Sequence, residues 1–65
     1  MRILLGKIMY NKNLSVRQVS ILTGLSKSTI SRITNGDVSP TADTLEQLAK
    51  GLKIRISDLI ESDFL

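Results

Sequence analysis

Sixty-five residues without a cysteine or a histidine make one small domain, and they exclude a disulfide framework, a zinc finger and the usual general base. The formal charge of +3 is split: residues 1–36 hold Arg2, Lys7, Lys12, Arg17, Lys27 and Arg32 with no acid, which is +6, and residues 37–65 sum to −3. Chance produces such splits in short chains, but this one also sets up a field that draws a polyanion to the first half.

The apolar start, Ile3-Leu4-Leu5, breaks at Gly6 and Lys7. That is too short for a signal peptide or a membrane span, so no membrane partner and a cytoplasmic location are expected. Leu5, Ile8 and Met9 repeat at helical spacing, which predicts a first amphipathic helix over residues 2–12. Gly6 within it costs up to about 1 kcal/mol relative to alanine. Asn13 suits a left-handed helix end. Ser15-Val16-Arg17-Gln18 reads as a capping box, and Leu14 with Val19 as a hydrophobic staple, so a second helix runs from Ser15 to about Thr23 and stops at Gly24.

Ser26 caps a third helix, Lys27 to about Asn35, stopped by Gly36. Asp37 to Pro40 is a loop. Thr41 caps a fourth helix carrying Leu45, Leu48, Ala49 and Leu52, with Gly51 either capping it or lying in its last turn. A fifth, short helix spans about Ile56 to Glu61. No stretch alternates long enough to predict a strand, so the expected class is all-α.

Gly24-Leu25-Ser26 is too short to let helices two and three lie antiparallel, so they cross steeply and the third projects. This geometry asks for positive φ at Gly24, a small residue at Ser20 and apolar anchors at Val19, Leu25, Ile30 and Ile33. The expected outer face of helix three is Lys27, Ser28, Thr29, Ser31, Arg32 and Asn35, polar and free of acid. A helix of that kind fits the DNA major groove, and its N-terminal amides with Ser26 suit a phosphate. Singly, each feature has an ordinary explanation: a C-cap, a solvated face, a surface charge. Their combination with an acid-free half is what points to nucleic acid.

Over residues 5–60 the sequence resembles the phage-repressor and Cro type of helix-turn-helix, a lambda repressor-like five-helix domain. The resemblance rests on Leu14-Ser15, Val19-Ser20, Gly24, the run Ser26 to Ile33, Asn35-Gly36, Pro40 and Thr44-Leu45 to Leu52. It implies base contacts by Lys27, Ser28 and Arg32 with Thr29 and Ser31 nearby, and sugar–phosphate contacts by Ser26 and Asn35. Arg17 and Gln18 complete the expected DNA-binding set. Val16 stands where the family commonly has glutamine. Met9 and Thr34 replace a common Arg–Glu pair, leaving a site that should pack apolar. Thr23 takes a place usually apolar, and Arg55 one where Ser or Asp would cap helix five, which should then start raggedly.

The reading is a single domain over residues 1–65, a non-enzymatic DNA-binding regulator without cofactor or metal. It is expected to be a repressor acting as a homodimer on a palindromic operator. Leu59, Ile60, Phe64 and Leu65 are candidate dimer contacts, unless Phe64 folds back on its own core. Ile21 and Leu22, apolar where the family is usually polar, are either tolerated surface residues or a patch for a protein partner. The second alternative describes an antitoxin-like subunit whose DNA binding is autoregulatory.

Overall fold

The computed structural model describes residues 1–65 and is all-α apart from one minimal ribbon. Five helices follow in order: α1 (Leu5–Lys12), α2 (Val16–Thr23), α3 (Lys27–Thr34), α4 (Ala42–Leu52) and α5 (Ile56–Leu59). Strands β1 (Arg2–Ile3) and β2 (Ile60–Glu61) flank them. One cluster of Leu5, Met9, Val19, Ile30, Ile33, Leu45, Leu48, Ala49, Leu52 and Leu59 forms the core, to which every helix contributes.

The helix ends follow from local chemistry. Ser15 and Gln18 exchange both capping-box bonds: the Gln18 amide donates to Ser15 Oγ at 3.1 Å, and the Ser15 amide to Gln18 Oε1 at 2.8 Å. Asn13 ends α1 at φ 56°. Gly36, at φ 78°, closes α3: its amide reaches Ile33 O and the Asp37 amide reaches Arg32 O, the paired bonds of a Schellman end. Gly51 lies inside α4, whose left-handed cap is instead Lys53 at φ 58°.

The ends of the chain depart from expectation. Helix one begins at Leu5 rather than residue 2, and helix five stops at Leu59 rather than Glu61. The freed residues pair antiparallel, Arg2 with Glu61 and Ile3 with Ile60, and the Leu4 amide donates to Leu59 O at 2.7 Å. Extending both ends lets Ile3 and Ile60 cover the core beside the fully buried Leu5 and Leu59. Arg55 has no acceptor to offer as a cap; Asp58 compensates by accepting the Arg55 amide at 3.0 Å. The start of α5 is therefore half-capped.

The expected dimer contacts differ in exposure. Leu59 is wholly buried within the chain and has no surface to offer a partner, whereas Ile60 is half-buried in the ribbon. Phe64 does not fold back: it is 97% exposed, and Leu65 is exposed beside it. No helix is long and apolar enough to cross a membrane.

Candidate nucleic-acid interface

The turn between α2 and α3 is fixed by a few side chains and one glycine. Gly24 adopts φ 77°, a left-handed conformation that a β-branched residue resists. Ser20 donates to Leu25 O at 2.6 Å, bracing the turn from the helix crossing. Thr23 is buried yet fully satisfied: its hydroxyl donates to Val19 O at 2.7 Å and accepts the Leu25 amide at 3.2 Å. Those two hydrogen bonds explain a polar residue at a usually apolar place. Gln47 reaches from α4 to donate to Thr23 O at 2.9 Å, tying the end of α2 to the scaffold.

Behind that bond α2 and α4 nearly touch. A Cβ at Gly51 would lie 2.6 Å from Leu22 O and 2.8 Å from Thr23 Cα, so glycine is required there by backbone proximity. Neither Gln47 nor Gly51 stands out in the sequence as a determinant of the turn. Their partners are distant along the chain, and no local pattern announces them.

Helix α3 is held from beneath by Ile30 and Ile33, both buried. At about 100° per residue, Ser28, Ser31, Arg32 and Asn35 then fall on the opposite side, and Lys27 lies at the edge of that face, about 90° round from the buried pair. Lys27, Ser28, Arg32 and Asn35 are exposed, while Ser31 is half-buried. Thr29, expected on the outer face, turns to its flank and is half-buried. Its hydroxyl lies 2.8 Å from Ser26 Oγ, and its amide donates to that oxygen at 3.1 Å. With Thr29 as the hydroxyl donor, the Ser26 proton is free to point outward at an anion. The Lys27 and Ser28 amides have no intramolecular acceptor and open toward the same side.

Arg17 and Gln18 sit exposed in the first turn of α2. The Gln18 carbonyl oxygen is engaged in the capping box, which leaves its amide NH₂ to donate. Val16, in the family's glutamine position, is half-buried against the core. Met9 is buried and Thr34 bonds Ser31 O at 2.9 Å, so their site carries no orphan charge. Neither α2 nor α3 has an acid in its first turn, and Arg17, Lys27 and Arg32 form no ion pair. The exposed face is thus cationic and rich in donors.

A short, glycine-turned junction that presents a polar helix from an apolar scaffold defines a helix-turn-helix unit. Residues 5–64 match the Cro/C1-type HTH DNA-binding domain, and the chain belongs to that family. No curated protein and no solved structure matches it at a significant level. The family is a DNA-binding one and typically non-enzymatic.

Proposed function

We propose that the protein is a sequence-specific transcriptional repressor that binds a palindromic operator as a homodimer. The observation that carries this reading is the acid-free outer face of α3, with unpaired Lys27 and Arg32 held rigidly on Ile30 and Ile33. Each copy inserts α3 into the major groove. Lys27, Ser28 and Arg32 meet base edges, with Thr29 and Ser31 adjacent, and Ser26, Asn35, Arg17 and Gln18 hold phosphates. The two copies then read successive grooves about 34 Å apart. The 65 residues act as one DNA-binding domain in the cytoplasm, without catalysis or cofactor.

Dimerisation serves both stability and recognition. A lone core of this size is thin, since a chain of about 60 residues buries only about 60% of its unfolded surface. A single recognition helix also reads too few bases to compete with non-specific sites. A second reading, the antitoxin-like subunit, is favoured by the exposure of Ile21 (73%) and Leu22 (50%) on α2. A stable complex with the product of a neighbouring gene would support it.

Selection of bound sites from random DNA, followed by salt titration on the winner, tests the leading reading. The expected site is two-fold symmetric. With about three or four phosphates neutralised per copy, log K against log [salt] should fall with a slope of about −5 to −7. A slope near zero would overturn DNA binding altogether.

A further inference from the structure

The close approach at Gly51 leaves an open groove between the last turn of α2 and the C-terminal half of α4. Its walls are Leu22, Thr23, Gln47, Lys50, Gly51 and Lys53, and no residue of α3 takes part. Leu22 supplies an apolar surface, and the lysine stems extend it, since their methylenes cover apolar groups while the ammonium ends stay in water. Lys50 and Lys53 have no acidic partner. The groove therefore suits an apolar side chain accompanied by a carboxylate.

One segment of this same chain has that chemistry. Asp63 is exposed and unpaired, Phe64 is 97% exposed and Leu65 70% exposed. The segment is held in a turn at Ser62, whose hydroxyl accepts the Phe64 amide at 3.1 Å and whose carbonyl accepts the Leu65 amide at 3.4 Å. A segment already turned gives up less freedom on docking than an extended tail. We propose that the Asp63-Phe64-Leu65 segment of a second copy docks in the α2–α4 groove. Phe64 packs on Leu22 and the lysine stems, with the ammonium groups near its ring, and Asp63 pairs with Lys50 and Lys53. Two-fold symmetry repeats the docking twice in one closed pair and leaves both α3 faces outside the groove. This inference rests on the dimer reading above and names the surfaces that form the dimer.

Sedimentation equilibrium of the full chain tests it, with circular dichroism confirming the fold of each variant. Phe64→Ser, Asp63→Lys and the double change Lys50→Glu/Lys53→Glu should each raise the dimer dissociation constant about tenfold or more. Combining Asp63→Lys with Lys50→Glu/Lys53→Glu should recover most of the affinity, because the charges again oppose. A wild-type dimer that none of the variants weakens overturns the docking and leaves the dimer reading standing. Effects that simply add, with no recovery, also overturn it. If the variants leave the dimer unchanged while a short acidic peptide with one phenylalanine binds wild type but not Lys50→Glu/Lys53→Glu, the groove takes a foreign segment and the second-copy assignment fails. A chain that is monomeric throughout and selects an asymmetric DNA site overturns the dimer reading and the docking together.

Discussion

Arg17 in α2 and Asp43 in α4 occupy the same place, the second helical residue after a hydroxyl cap, Ser15 and Thr41 respectively. Their charges are opposite. The N-terminus of a helix carries about half a positive charge and is stabilised by an anion. Helices α4 and α5 supply their own, Asp43 and Asp58. Helices α2 and α3 supply none and place Arg17 and Lys27 there instead. The C-terminal pair carries its own N-terminal anions, whereas the helix-turn-helix pair has none within the chain, and in the proposed complex a DNA phosphate would take that place.

That contrast has meaning only if the helix-turn-helix pair is held rigidly by the C-terminal one, and the joint can be broken. Ile30 is fully buried beneath α3, so Ile30→Ala should cost about 2–5 kcal/mol through the cavity it leaves. For 65 residues, total stability is about 3–10 kcal/mol, so urea unfolding should show a much-reduced midpoint or no folded baseline. Gly51→Ala should cost about 1–3 kcal/mol, because its Cβ meets backbone rather than a movable side chain. If Gly51→Ala melts like wild type, α2 and α4 do not approach as closely as described.

These two residues also mark what the sequence discloses. Ile30 declares itself by helical spacing, and the same holds for the Ser15, Ser26 and Thr41 caps and for Gly24, because each answers to neighbours within a turn of helix. Gly51 reads from the sequence as either a cap or a residue of the last turn, and only the approach of α2 shows its role as a spacer. The β1–β2 pair escapes for the same reason. Two residues at each end are too few to show alternation, and their register is set by the burial of Leu5 and Leu59 from opposite ends of the chain. On α3, spacing locates the exposed face and, at about 100° per residue, also puts Thr29 on its flank, about 70° from the mean direction of Ile30 and Ile33; the outer-face expectation for Thr29 overlooks this.

The open pair can next be tested where it would meet bases. Arg32 and Lys27 are exposed and unpaired, so changing either to alanine should leave the thermal melt within about 0.5 kcal/mol of wild type. Each should cost about 1–3 kcal/mol in operator binding and relax preference at one base position. Equal weakening on operator and random DNA would reassign both to phosphate. Gly24→Val should cost about 1–2 kcal/mol of stability, since φ 77° brings a side chain's Cβ against the carbonyl. An unchanged melt would mean the turn relaxes at no cost.

The smallest effect probes the two regions most directly, because its sign differs between them. Arg17→Glu puts an anion at the start of α2 and should raise stability by about 0.3–1 kcal/mol at low ionic strength. Asp43→Lys makes the reverse change at the equivalent place in α4 and should lower stability by a similar amount, about 0.3–1 kcal/mol. Both residues are exposed, so salt should shrink the two shifts together, the Debye length falling from about 30 Å at 0.01 M to about 3 Å at 1 M. DNA binding should separate them again. Arg17→Glu stabilises the free protein but places a carboxylate where α2 meets phosphate, so affinity should fall. The salt slope should become shallower by about 0.9 for each phosphate that Arg17 no longer neutralises. Asp43→Lys adds a cation and should not weaken binding. A more stable Arg17→Glu that binds DNA as tightly as wild type would show that the open end of α2 is not a phosphate site. The contrast between the helix pairs would then be a matter of stability alone.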